Sequence, residues 1–206
     1  MLQPRTASSL KIRLLFSVGI LAIGVVMLLI SFFDKQSHSS KMSVTVFSQP
    51  HELHPFQFNP LLFSQKNLFH HWTFLFFGFT HCSDVCPATL STLKEVYSNL
   101  HAQYPELQVV FVSIDPQEKM ADLQPYLASF NKDFIGLRGT KEQVENLKQQ
   151  FGVHAALDTH SSTLSHTSSI FLINPQGQWL ALFPYGLRSK QMQDQFKIIV
   201  ENYSHV

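Results

Sequence analysis

Residues 73–80 read TFLFFGFT, and residues 81–87 continue HCSDVCP. The first stretch is a continuous apolar run, which marks a strand buried on both faces of a sheet. The second has to turn, because proline suits the first turn of a helix and pushes the residue before it out of α geometry. From Pro87 onward, Leu90, Leu93, Tyr97, Leu100 and Tyr104 recur at three- and four-residue spacing, one buried stripe of a helix. A buried strand that hands over through a tight loop to an amphipathic helix opens a β–α unit.

The rest of the chain repeats that alternation. Residues 107–114 (LQVVFVSI) are a second buried strand, followed by a helix near 121–130 that contains Pro125 and a short strand at 135–137. Thr140 and Gln143 have capping-box spacing and open a helix that Gly152 closes. Residues 169–173 and 178–183 read as a hairpin around Asn174-Pro175-Gln176-Gly177. A last helix over 190–203 puts Met192, Phe196, Ile199 and Tyr203 on one face. The order β–α–β–α–β–α–ββ–α implies an α/β sandwich. Its first strong strand ends at the only two cysteines, and ligands of open α/β sheets bind at such carboxyl ends.

Composition limits the function classes. The 206 residues are 14% charged, against about 25% in an average domain, with formal net charge +1. That balance excludes an extended basic surface, so nucleic acid is not an expected partner. Two cysteines are too few for a disulfide-stapled scaffold. Residues 14–33 (LLFSVGILAIGVVMLLISFF) carry no charge, and a helix of that length crosses about 30 Å, the hydrocarbon core of a bilayer. Arg5, Lys11 and Arg13 precede it, so residues 1–13 are expected in the cytoplasm and everything beyond the span on the far side. The run is too long for a signal-peptide core, and Ile30, Phe32 and Phe33 stand where a cleavage site needs small residues. We therefore expect an uncleaved transmembrane anchor at 14–33, a polar tether at 34–43 and one outer domain at 44–206. The short N-terminus has no room for a long transit peptide, which favours a bacterial inner membrane with the domain facing the periplasm.

The chemistry concentrates in the cysteine loop. Cys82 and Cys86 lie four residues apart at the mouth of a helix, whose free N–H groups and positive potential favour thiolate over thiol. Two soft sulfurs at short range suit Cu(I), and the same pair is close enough in sequence to oxidise to a disulfide. A purely structural disulfide closing so small a loop would gain little. Residue types alone leave the further ligand open among His81, beside Cys82, and His154, His160 and His166 in one polar region.

At this point the chain resembles a family. The run Phe79-Thr80-His81-Cys82-Ser83-Asp84-Val85-Cys86-Pro87 is similar to the cysteine motif of the Sco/SenC proteins, thioredoxin-like copper chaperones for cytochrome c oxidase. The likeness continues through Val112-Ser113-Ile114-Asp115-Pro116, Gly136-Leu137-Arg138-Gly139-Thr140 and Ser165-His166-Thr167, then Phe171-Leu172-Ile173-Asn174-Pro175-Gln176-Gly177. The resemblance implies a thioredoxin-like sandwich, a central mixed sheet flanked by helices, preceded by one transmembrane helix. It also implies a copper ion held by Cys82, Cys86 and His166, and delivery of that ion to the oxidase subunit that carries the copper A site. His160 remains a second candidate ligand, in a loop that could fold over the site.

Three positions depart from the family pattern. Ser165 stands where an acidic residue often precedes the ligand histidine, leaving Asp158 as a substitute to orient the imidazole. Ser83 replaces a common proline, and Asp84 is read as the cap of the helix. The competing reading is a thiol–disulfide reductase that keeps the oxidase's copper-site cysteines reduced, with Cys82 as the attacking thiolate. Against it, three residues separate the cysteines where thioredoxin sites have two, and Ser165-His166-Thr167 lacks the proline that faces a thioredoxin pair. A peroxidase of the same fold would need one reactive sulfur, and structural zinc would need more ligands than two cysteines.

Overall fold

The computed structural model describes residues 20, 23–27, 43–58, 62–158, 163–166 and 168–203, with 155–158 and 163–166 described by their backbone. The chain divides into two units, Met1–Met42 and Ser43–Val206. In the first, residues 23–27 are helical and their apolar side chains are exposed. The rest of the expected anchor, and residues 34–42 of the tether, lie outside the described residues. Among the described residues, no helix is long and apolar enough to cross a membrane.

The second unit is built on a six-stranded mixed sheet. Its strands are β1 (Thr45–His51), β4 (Trp72–Gly78), β5 (Leu107–Ser113), β6 (Ile135–Leu137), β9 (Ile170–Ile173) and β10 (Trp179–Phe183), in the order β1-β10-β9-β4-β5-β6. β4 pairs parallel with β5, and β5 parallel with β6, whereas β9 pairs antiparallel with both β4 and β10. Two small ladders lie outside the sheet, β2 (Gln57–Phe58) with β3 (Phe63–Ser64), and β7 (Ala155–Asp158) with β8 (Thr163–His166). The helices are α1 (Val85–Leu100), α2 (Met120–Ala128), α3 (Lys141–Gln150) and α4 (Ser189–Tyr203).

β4 is buried at every position, and its side chains alternate between two cores. Phe74 and Phe76 join Leu90 and Leu93 of α1, Leu123 and Leu127 of α2, and Phe196 of α4. Leu75 and Phe77 point to the opposite face, with Phe171 of β9 and Val144 and Leu147 of α3. Eight phenylalanines, Phe58, Phe74, Phe76, Phe77, Phe111, Phe171, Phe183 and Phe196, are fully buried. At roughly 1.5–3 kcal/mol for each buried ring, phenylalanine supplies much of the driving force that a weakly charged sequence can collect. Edge-to-face pairs such as Phe74–Phe183 and Phe77–Phe171 fix how those rings meet.

Several boundaries differ from those read in the sequence, each for a physical reason. α1 begins at Val85, two residues before Pro87, because Asp84's carbonyl already accepts the Ala88 N–H (3.2 Å); Pro87 then sits in the first turn, where its missing N–H costs nothing. α1 ends at Leu100, so Tyr104 lies in the following turn, packed edge-on to Phe196 at 5.2 Å. The capping box of α3 is present, with Thr140 accepting from the Gln143 N–H, and Gly152 (φ +61°) closes the helix. The Val153 N–H reaches Lys148's carbonyl (2.9 Å) and the Gly152 N–H reaches Gln149's (3.2 Å), a Schellman closure. β1, β2–β3 and β7–β8 have no counterpart in the sequence reading. β1 is an edge strand with Pro50 in it and five of seven residues exposed, so it carries no apolar run to detect.

Candidate metal and thiol site

β4 ends at Gly78, and the chain turns immediately, the Cys82 N–H donating to Phe79's carbonyl at 3.3 Å. A side chain on Gly78 would meet the Phe111 ring at 2.8 Å and the Cys86 sulfur at 3.0 Å. Only glycine therefore lets the strand pass this close beneath the second cysteine. Cys86 is buried in the second position of α1 and Cys82 is partly buried above it; the two are not joined in a disulfide. The Cys86 N–H, one of the orphan donors of a helix start, points at the Cys82 sulfur (3.4 Å). Asp84 occupies the cap position, but its side chain accepts no cap hydrogen bond. The expectation that Asp84 caps the helix is thus corrected: the sulfur two residues earlier takes a first-turn N–H instead.

Burial pushes the Cys86 thiol well above its usual range. The hydrogen bond with Cys82 and the charges of Cys82 and Glu118 push the same way, and the backbone bond from Phe79 offsets only part. At Cys86 burial thus outweighs the helix-start potential, and the expectation that this position favours thiolate is corrected.

Two residues that sequence reasoning missed stand beside the pair. The Asx turn at Asp115, whose carboxylate accepts the Gln117 N–H (2.8 Å), swings Glu118 back under the loop. Glu118 is buried; its Oε1 accepts the Thr80 N–H (2.9 Å) and its Oε2 accepts the Ser113 hydroxyl. One carboxylate thus ties the entry of the cysteine loop to the end of β5. A glutamate in the polar run Gln117-Glu118-Lys119 reads as solvent-facing, so no sequence signal points to it. Glu118→Ala strands the buried Ser113 hydroxyl and the partly buried Thr80 N–H and is expected to lower stability by about 2 kcal/mol in urea denaturation, with Glu118→Gln costing less.

The second is Tyr126 of α2, packed on Phe111 (ring centroids 6.4 Å) and Phe130 (5.3 Å). Among the described residues its buried hydroxyl has no hydrogen-bond partner. Burial raises its pKa most, and the charges of Cys86, Cys82 and Glu118 raise it further.

Of the candidate histidines, His81 is exposed and its Nδ1 lies 3.3 Å from the Thr80 hydroxyl. His154 is exposed just before β7, and His160 lies outside the described residues. His166 is the last residue of β8, its Cα opposite Ala155, and its side chain is outside the described set. Topology limits where it can be. β9 begins at Ile170 opposite Phe76, at the end of β4 where the cysteine loop starts. His166 precedes Ile170 by four residues, a reach of at most about 14 Å. Among the described residues, no three His, Cys, Asp or Glu side chains converge on one point. The two sulfurs by themselves are a soft donor set that fits Cu(I) and not a hard cation.

A family model described as SCO1/SenC matches residues 49–201. The chain belongs to the SCO1/SenC family. An SCO2-like protein of Rickettsia prowazekii is 28% identical over 145 residues, 68% of this SCO1/SenC chain and 71% of that protein. A protein of Stutzerimonas stutzeri named for copper binding is 36% identical over 120 residues, 56% of this chain but only 59% of that protein's length. The crystal structure of yeast Sco1 with copper bound superposes with a TM-score of 0.66 at 26% identity, covering 74% of this chain and 90% of that one. The SCO1/SenC chain thus has the thioredoxin-like α/β fold expected from its sequence, a mixed sheet with helices on both faces.

Proposed function

We propose that this SCO1/SenC protein is a membrane-anchored copper metallochaperone. Cys82, Cys86 and His166 hold the ion, with residues 14–33 as an inner-membrane anchor and the domain from residue 44 facing the periplasm. The recipient is the cytochrome c oxidase subunit that carries the copper A site. The observation that carries the reading is the reduced Cys82–Cys86 pair at the mouth of α1, in a fold that superposes on copper-bound yeast Sco1. Ligand exchange is the chemistry: copper displaces the thiol protons on loading, and a histidine on a short hairpin is the ligand whose bond breaks first on release. Oxidation of the pair removes both sulfur ligands, so loading depends on redox state.

An anaerobic Cu(I) titration of the reduced full chain in detergent, against a competing chelator, tests this. One copper per chain is expected, with His166→Ala binding about a hundredfold more weakly. A reduced protein that binds no Cu(I) overturns the reading. The arrangement of the sulfurs supports a second one: a partly exposed Cys82 over a buried Cys86 thiol is also how an attacking and a resolving cysteine are disposed. Turnover of a mixed disulfide on a subunit peptide, without copper, would favour the thiol–disulfide reductase.

A further inference from the structure

We infer that Glu118 is a positioning residue of the copper site: by accepting the Thr80 N–H it orients the turn that delivers the Cys82 sulfur to the start of α1. The inference rests on the copper-binding reading above.

The two cysteines are held by different means. Cys86 belongs to α1 and is buried in one core with Phe76, Leu90 and Phe111, so helix and core together fix it. Cys82 lies outside helix and strand, at the last position of the β-turn Phe79–Cys82, which its N–H closes on Phe79's carbonyl. That bond fixes the shape of the turn but not its orientation on the sheet. Glu118 supplies a tie to the sheet. Its Oε1 accepts the N–H of Thr80, the second residue of the turn, at 2.9 Å. Its Oε2 accepts the hydroxyl of Ser113, the partner of Gly78 in the last pair of the β4–β5 ladder.

The carboxylate is itself held from behind. Glu118 is 2% exposed, its own N–H donates to Asp115's carbonyl (3.2 Å), and the Gln117 N–H donates to Asp115's carboxylate (2.8 Å). The Ile114 N–H, just before that turn, donates to Gly78's carbonyl at 2.9 Å. The chain leaving β5 therefore folds back on the chain leaving β4, and Glu118 is the side chain that joins them. Burying a carboxylate is costly unless donors meet it, and here one donor is the ladder's end and the other the cysteine turn. Binding copper through both sulfurs needs Cys82 at a set place relative to a Cys86 that the core holds still. A turn ordered before the ion arrives does not have to be ordered by it. With the tie cut, the turn samples other orientations. The apparent affinity then falls in proportion to the fraction of chains that present both sulfurs together.

The test compares Glu118→Ala, Glu118→Gln and Leu147→Ala in the full chain. Glutamine keeps an oxygen for the Thr80 N–H and can donate from its amide to the Ser113 hydroxyl, so the tie survives without the charge. Leu147→Ala empties a buried position on the opposite face of the sheet, which lowers stability without touching the loop. The Thr80 amide should be protected from hydrogen exchange in the unsubstituted chain and in Glu118→Gln, and exchange at least about tenfold faster in Glu118→Ala. Cu(I) affinity by chelator competition should fall about tenfold in Glu118→Ala and stay within about twofold in the other two variants. Unchanged affinity in Glu118→Ala, or a Thr80 amide that exchanges no faster, overturns the inference. So does an equal loss in Leu147→Ala, which would make affinity follow stability, or in Glu118→Gln, which would make the charge the agent. Should Glu118→Ala not fold, Glu118→Asp, a methylene too short to reach both donors, takes its place with the same expected losses. Failure of the unsubstituted chain to bind copper would instead remove the metallochaperone reading itself, so the two failures are distinguishable.

Discussion

The Cys86→Ser protein is expected to bind Cu(I) at least about a thousandfold more weakly than the unsubstituted chain. A serine hydroxyl is a hard, neutral donor, and Cys82 and Cys86 are the two cysteines of the chain, so no other thiol replaces the lost sulfur. Cys82→Ser should lose a comparable factor while removing only a partly buried atom, which controls for disruption of the core. Retention of tight copper binding by either variant would sink the two-sulfur site. The unsubstituted protein adds a pH signature. Burial holds Cys86 as a thiol through the neutral range, so copper has to displace its proton. The apparent affinity should therefore rise about tenfold per pH unit for that one proton between roughly pH 6 and 8. A flat profile, after correction for the chelator, would mean that Cys86 is already ionised.

The second large effect is on stability. Phe111→Ala should cost about 3–5 kcal/mol, the range for deleting a buried ring. Phe111 is fully buried in β5, packs on Phe76 (5.9 Å) and Tyr126, and fills the space that Gly78 leaves open next to the Cys86 sulfur. In a domain of this size the loss corresponds to a fall in Tm of about 10 °C. Urea denaturation with an unchanged slope would confirm that the native packing is what was lost. Because the cavity opens beneath Cys86, copper affinity should fall as well. A cost under about 1 kcal/mol would show that the site collapses around the deletion and that the ring does not support the cysteine.

These predictions differ in how visible their residues are in the chain. Cys82, Cys86 and the strand before them are legible because each leaves a local mark: a continuous apolar run, a proline that stops a loop, and the only two sulfhydryls. The Thr140 capping box and the Gly152 closure are equally local, and the structure forms both. Asp84 shows the limit of such marks. It is a favoured capping residue in the cap position, and yet a sulfur two residues earlier takes the N–H, because the loop geometry brings Cys82 back over the helix end.

Glu118 and Tyr126 carry no mark at all. One sits in a polar turn and the other follows a proline, and both would pass as surface residues in a one-dimensional reading. Their places beside the sulfurs exist only because β4 and β5 pair in parallel, which sets the end of β5 and the start of α2 against the cysteine loop.

Alternation of apolar runs with helical stripes determined the α/β architecture, since burial on two faces and on one leave different periods in the sequence. The cysteine spacing likewise determined where the chemistry is, because a helix start and two thiols are chain neighbours. Tertiary structure alone decided which groups surround those thiols, how deep each sulfur lies, and that a buried carboxylate ties the loop carrying them to β5. Such contacts join residues 30 to 50 positions apart. Nothing in a local pattern encodes a meeting that depends on how strands pair.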